Sequence, residues 1–393
     1  MRNARAAVST FFFVNGFAFA SWVPHIPAVK DHHNLNDAEL GGVLLAMAVG
    51  AVIALPLAAA WVASRGSRIP TILAGLGFCL ALPTPLLAPN VALLGAALVL
   101  FGALNALLDV SMNAQAVQVE RQASRAVRSS FHGLFSLGGL IGAAATGAAL
   151  GAGMEALQFA LMVAAAGVIA VVLACTGLLA CDVDKGQGSG SQAFAWPSAA
   201  LLGLGLLAFA GLMLEGAMAD WTAVYLRDSL QASPGLAAGG FAAFSGCMAA
   251  GRFAGDAWVN RWGAIQVFRV SGLVAGLGLA LAMAAQHAWL SIAGFGLVGL
   301  GASNIVPILF SAAGRTEGQA PGRALAAVAT TGYLGFLTGP PIIGWIAELA
   351  GMRGALGLLA LACIAMAWGA PACGWSDALE QDSVIMLDEH NAW

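Results

Sequence analysis

Twelve stretches of about twenty or more predominantly apolar residues follow one another along this chain, and that leaves very few folds open to it. A helix needs roughly 20 such residues to cross the hydrocarbon core of a bilayer. The runs lie at about 8–29, 40–64, 69–88, 91–118, 127–150, 154–181, 197–226, 236–258, 264–286, 288–313, 322–349 and 352–375. None shows the period-two alternation of a membrane strand, so a barrel is excluded. Of the 393 residues, 60% are hydrophobic and only 9% charged, against about 25% charged in a soluble domain. So few charges do not cover a water-exposed surface of this size. A soluble enzyme and a nucleic-acid-binding protein are therefore excluded. The expected fold class is all-α integral membrane, with twelve transmembrane helices joined by short connections and alternating in direction.

The distribution of cations orients these helices. With the N-terminus in the cytoplasm, thirteen of the 16 lysines and arginines fall on the cytoplasmic side, Arg252 counted among them. Lys30, Arg227 and Arg353 fall outside. The positive-inside rule then predicts that both termini are cytoplasmic. The first apolar run is too long for the core of a cleavable signal and reads as a span. Six cysteines form no CxxC pair and lie mostly within apolar runs, as small buried hydrophobes.

Residues 182–196 contain the polar stretch Asp-Val-Asp-Lys-Gly-Gln-Gly-Ser-Gly-Ser, which reads as a flexible cytoplasmic linker. It divides the chain into an N-terminal six-helix bundle (1–181) and a C-terminal one (197–375). Residues 376–393 form an acidic tail expected to be disordered.

The two bundles repeat each other. Ala60-Trp61-Val62 at the end of span two matches Ala257-Trp258-Val259 at the end of span eight, 197 residues on. Gly102-Ala103-Leu104-Asn105 matches Gly301-Ala302-Ser303-Asn304, and Leu134, Leu137 and Gly139 match Leu334, Leu337 and Gly339. Asn15-Gly16 with Trp22 matches Glu215-Gly216 with Trp221. A parallel repeat of six plus six spans resembles the major facilitator superfamily. So does the loop after span eight, with Gly255-Asp256, then Arg261 and Gly263. In that superfamily the loop latches the cytoplasmic side, which implies a gate of Asp256, Arg261 and Gly263. Arg65 and Arg68 stand in the degenerate counterpart after span two. The resemblance further implies alternating access around a central solute and a monomeric protein.

An ionisable side chain at the bilayer centre costs about 2.5–3.5 kcal/mol on insertion scales, so the acids inside spans ask for an explanation. Asn105, Asp109 and Asn113 are spaced four residues apart and cover only about 80° of the circumference of span four. One reading is a proton-titrating carboxylate flanked by amides that bind hydroxyls. The other is a helix-packing network in which the amides satisfy a buried acid. Glu215, near the middle of span seven, is either a second proton or solute site or a neutral, hydrogen-bonded carboxyl. Asp220, nearer the outer end, reads as a gate or a partner of Arg227.

The stretch Asp109-Val-Ser-Met-Asn113-Ala-Gln115, together with Ser130-Phe131-His132, resembles the fucose–proton symporter branch and related inner-membrane proteins. That resemblance implies proton coupling at Asp109, places His132 near a sugar, and extends the polar set to Gln115. The acid those symporters carry in span one has no counterpart here: span one offers Asn15, Ser21 and His25 but no carboxylate, so that acid's role does not carry over. Trp22 and Trp221 are read either as aromatic walls for a sugar face or as interfacial anchors. Asn304 and Tyr333 would supply hydrogen bonds from the second bundle.

The expected function is secondary active transport, proton-coupled, of a small polar solute such as a sugar, across the bacterial inner membrane. Asp109, Glu215 and His132 would handle protons. Asn15, Trp22, Asn105, Asn113, Gln115, Trp221, Asn304 and Tyr333 would line the solute. The alternatives are a proton-driven exporter of drugs or metabolites, or a non-transporting membrane sensor. With no Walker or GxGxxG pattern and no HExxH, no cofactor and no metal are expected, and the partners are a solute, protons and lipid.

Overall fold

The computed structural model describes residues 2–123, 128–180, 197–316 and 321–372. The linker expected at 182–196 and the tail at 376–393 lie outside the described residues.

Within them the chain is a bundle of long helices. Span one runs Arg2–Trp22, tightens into a 3-10 turn at Val23–His25 and continues over Ile26–His32. Pro24 and Pro27 lack the N–H groups a continuous α-helix would use there, which accounts for the turn. Span two is Asp37–Arg65, started by a capping box in which Asn36 and Glu39 satisfy each other's backbone N–H. Span three combines Arg68–Ala81 with Thr84–Leu87, broken near Pro83. Spans four, five and six are Val91–Ala123, Arg128–Gly151 and Ala156–Ala174. Span seven is Ala199–Val224, ending in a π turn over Tyr225–Ser229. Span eight is Pro234–Trp262 and span nine Ala264–Ala284. Span ten breaks between Ala288–Ala302 and Ile305–Gly314, where Pro307 cannot donate to the Ser303 carbonyl.

The last helical stretch, Pro321–Ala372, holds two spans, because Gly351 (φ 75°, ψ 158°) interrupts it. A straight helix of 52 residues would be about 78 Å long, far more than a bilayer of about 30 Å accommodates. Spans eleven and twelve are therefore residues 321–350 and 352–372. Ten stretches are long and apolar enough to cross a membrane, the final pair counted as one. Separating that pair at Gly351, and adding the glycine-rich span eight, gives the twelve expected.

The internal repeat reappears in the backbone. Every positive φ among the described residues has a mate about 197 positions away: Asn34 with Gln231, Gly66 with Gly263, and Gly153 with Gly351. Packing repeats as well. Span one packs on span five and span two on span four; span seven likewise packs on span eleven and span eight on span ten. A methyl on Gly102 would overlap the Met47 carbonyl, and one on Gly299 would overlap the Phe244 carbonyl, so both helix pairs cross at backbone contact. Such close crossings are how helices associate where lipid removes the hydrophobic drive between them.

The first six spans meet the last six along two seams, span five against span eight and span two against span eleven. One end of the molecule is drawn shut. There the turns of span two and span eleven touch at Gly41 and Pro340, and Gly147 of span five abuts Gly235 of span eight. At the same end Lys30 pairs with Asp37 and Asp228, each at 2.6 Å, and Arg227 pairs with Asp31. The opposite end carries the arginine-rich loops. Exposed leucines such as Leu57, Leu173, Leu349 and Leu361 form the outward surface that lipid would cover.

Candidate functional site

Asp109 lies about 21 Å from the end of span four at Ala123 and about 27 Å from its start, near the middle of the span. Its carboxylate accepts a 3.0 Å hydrogen bond from Asn113 Nδ2, which also donates to the Asp109 carbonyl at 2.9 Å. The four-residue spacing places these two groups one turn apart on one face, as expected. Asn105 continues the stripe half-buried, and its Oδ1 has no hydrogen-bond partner among the described residues.

Tyr333 of span eleven stands opposite. Its ring is 43% exposed although it sits well inside a span. Its phenol is close enough to Asp109 and Glu215 to feel both charges. Tyr333 of span eleven is thus within electrostatic range of partly exposed acids on spans four and seven.

Glu215 is not alone. Its Oε2 accepts a 3.4 Å contact from Arg252 Nη2 of span eight, and Arg252 Nη1 reaches Ser136 Oγ of span five at 3.3 Å. This corrects the placing of Arg252 among the cytoplasmic topology charges. It lies ten residues inside the end of span eight, about 15 Å deep, and its charge is balanced by Glu215. The sequence carried a signal that went unused: a lone arginine so far inside a span requires a partner.

Several expected site residues lie elsewhere. Gln115 is buried and fully committed. It donates to Ser67 Oγ at 2.8 Å and to the Leu179 carbonyl at 3.3 Å, and accepts from Leu179 N at 2.9 Å. Two residues beyond Asn113, it is about 200° around the helix and faces away from the stripe. It ties span four to the loop before span three and to the end of span six. Asn304 likewise donates to Ser303 Oγ at 2.9 Å and to the Gly251 carbonyl at 3.4 Å, seating the break in span ten on span eight. Trp22 and Trp221 are buried, Trp22 beside Phe101, and neither indole N–H has a partner among the described residues. Asn15 is buried between spans one and four, reaching Met112 Sδ at 3.9 Å. His132 sits edge-on to Phe12 with ring centroids 5.2 Å apart, on the span-one side of span five.

Asp220 does not meet Arg227, which binds Asp31 instead; Asp220 is buried in span seven. Of the expected gate, Arg65, Asp256 and Arg261 are exposed and Arg68 is half-buried. Arg261 stacks over its neighbour Trp262 at 5.7 Å. Gly263 (φ 80°) caps span eight as Gly66 (φ 78°) caps span two. Among the described residues the ion pairs that join the two sets of six spans at a closed end are those of Lys30, Asp31, Arg227 and Asp228, at the other end of the molecule.

Twelve helices with an internal repeat, closed at one end around a charged and accessible centre, define a polytopic membrane transporter. A model of the Major Facilitator Superfamily matches residues 201–376. The chain is 39% identical over 365 residues to an uncharacterised MFS-type transporter of Yersinia pestis, covering 92% of this chain and 93% of that one. It is 36% identical over 350 residues to the membrane protein MosC of Rhizobium meliloti, covering 89% and 85% respectively. Among solved structures it resembles the nucleoside transporter NupG, with a TM-score of 0.74 at 12% identity over 94% of this chain and 99% of that one. The chain belongs to the Major Facilitator Superfamily.

Proposed function

We propose that the protein is a proton-coupled secondary transporter of a small polyhydroxylated solute, working by alternating access. Its two six-helix halves would rock about the centre, with both termini on the cytoplasmic side of a bacterial inner membrane. The carrying observation is that Asp109, Glu215 and Tyr333, from both halves, are partly exposed well inside their spans, with Tyr333 within electrostatic range of both acids. Asp109 has Asn113 as its only hydrogen-bond partner among the described residues. An ionisable group so lightly held inside a membrane span asks for a functional explanation. The match of Asp109 and Asn113 to the fucose–proton symporter pattern supports the same role.

In this reading the closed end faces the outside, since the arginine-rich loops mark the cytoplasm. The site then opens inward. Solute hydroxyls bind Asn105, Asn113 and Tyr333, and Asp109 takes up a proton on one side and releases it on the other. Gln115 and Asn304 hold the frame rather than the solute.

The test is proton flux into proteoliposomes containing the purified protein and a pH-sensitive dye. Sugars, sugar acids, nucleosides and cationic drugs are added in turn, with Asp109→Asn alongside. Solute-dependent acidification, abolished by the substitution, is the expected result. Alkalinisation would mean antiport and overturn symport. Silence, with radiolabelled uptake also silent, would overturn the coupling role of Asp109.

A further inference from the structure

The Arg252 contacts are loose. A charge-assisted N–H···O bond is normally about 2.7–2.9 Å, and the Lys30 pairs reach 2.6 Å. Arg252 meets Glu215 at 3.4 Å and Ser136 at 3.3 Å. A guanidinium offers five donors in a rigid fork suited to bidentate contact with a planar anion. Arg252 makes two long contacts, one to each. Both members of the ion pair remain accessible, 25% for Arg252 and 20% for Glu215. A pair serving only to neutralise buried charge would be expected to be tight and enclosed, because desolvation is offset only by good geometry.

We propose that Arg252 recognises an anionic group on the transported solute, so that the substrate class is a polyhydroxylated monocarboxylate, a sugar acid rather than a neutral sugar. This rests on the transporter reading above and deepens it. The solute carboxylate takes the Arg252 fork in place of Glu215, and the freed Glu215 takes a proton. Solute anion and proton enter together: the Glu215–Arg252 contact breaks, the solute–Arg252 contact forms, and one O–H bond forms on Glu215. Charge forces this order. Asp109, Glu215 and Arg252 already sum to one negative charge when all are ionised, and a further anion without a proton would be strongly repelled at low dielectric. A phosphate ester, carrying about 1.5 to 2 negative charges, would need more protons, which favours the carboxylate.

Arg252 also touches Ser136 of span five, so a solute held there contacts both sets of six spans. Titratable groups on the helices packed around this pair include His25, His132, Asp220, Arg269 and Tyr333, with Cys247, Asp256 and Arg261 on span eight itself. Tyr333 is the one placed within reach of both acids of the centre.

The experiment is ligand binding to the full-length protein in detergent, read by thermal shift and titration calorimetry. It uses matched sets sharing one carbon skeleton: glucose, galactose and mannose, their aldonic and uronic acids, and their amino sugars. Stabilisation should be confined to acids, with about one proton taken up per acid bound, measured from calorimetry in buffers of different ionisation enthalpy. Arg252→Gln and Arg252→Lys should each weaken acid binding by about tenfold or more, the scale of a lost charged hydrogen bond. Glu215→Gln should retain acid binding and lose the proton bound together with the acid, a proton distinct from the one Asp109 carries through the transport cycle. If Arg252→Gln fails to fold because Glu215 is left unpaired, the double variant Arg252→Gln with Glu215→Gln removes both charges and is used instead.

Binding of neutral or amino sugars in preference to acids, acid binding that survives loss of Arg252, or silence from every acid would each overturn the proposal. The two readings separate cleanly. Proton-coupled flux of a neutral sugar would sustain the transporter reading and overturn this one. Acid binding dependent on Arg252, without proton flux, would do the reverse.

Discussion

Lys30 of span one and Asp228 of span seven lie 2.6 Å apart, and their sequence neighbours repeat the pairing in reverse, Arg227 of span seven binding Asp31 of span one. Lys30-Asp31 and Arg227-Asp228 are themselves 197 residues apart, the same offset that relates Gly66 to Gly263. The two ion pairs are thus images of each other under the internal repeat, each cation of one half held by the acid of the other. Lys30 adds a third contact, to Asp37.

This reciprocal clasp should bias the molecule toward the state closed at that end. Its partners are partly exposed, so each pair is worth at most about 1 kcal/mol, or about a fivefold change in population. Asp228→Asn should shift the balance by less than that, and Asp31→Asn added to it should shift it further. Spin labels at His32 and Ser229 would report a growing population of longer distances. The charge-swapped pair Arg227→Asp with Asp31→Arg, which leaves the Lys30 contacts to Asp37 and Asp228 in place, should keep much of the short-distance population. An unchanged distance distribution in all variants would remove the clasp from the gating equilibrium.

Gln115 separates a framework role from a solute role. Gln115→Ala removes three buried hydrogen bonds, to Ser67 Oγ and to the Leu179 carbonyl and N–H, and should cost about 1–3 kcal/mol. The melting temperature in detergent should fall. Transport per folded molecule, and solute affinity, should stay at the parent level.

Tyr333→Phe removes only a hydroxyl that faces the accessible centre. The protein should fold and melt as before, while solute affinity falls by about tenfold, the scale of one lost hydrogen bond to a polar ligand. Binding isotherms of the two proteins check this.

The glycines divide into two kinds with different costs. Gly102→Ala and Gly299→Ala each drive a methyl into a facing carbonyl, so each should destabilise by about 1–3 kcal/mol through forced helix separation. Gly351 has open space around it and a φ of 75°. Gly351→Ala should therefore cost only the strain of a backbone region almost exclusive to glycine (φ 75°, ψ 158°), about 1–3 kcal/mol, and Gly351→Asn about as much. Thermal melts of the four variants give the ranking.

The stripe on span four was legible in the sequence because its members share one helix. The four-residue spacing of Asp109 and Asn113 sets their contact whatever surrounds them. Gln115, two residues further, carried the opposite information in the same periodicity. Arg252 was misplaced because a cation near one end of an apolar run serves equally well as a topology signal or as a counter-ion. Asp220 and Arg227 are close in sequence, yet Arg227 is satisfied by an acid 196 positions away.

What the sequence determined by itself was the number of spans, their helical character and their twofold repetition. Each follows from a local requirement: a crossing segment must satisfy its own backbone hydrogen bonds and be apolar over about 20 residues, whatever its neighbours do. Tertiary structure alone decided which acid Arg252 neutralises, which end is clasped, and which polar groups share the accessible centre. Those depend on how each helix is rotated about its axis and how closely it approaches the next. That rotation is set by packing at glycines such as Gly102 and Gly299, between helices distant in the chain.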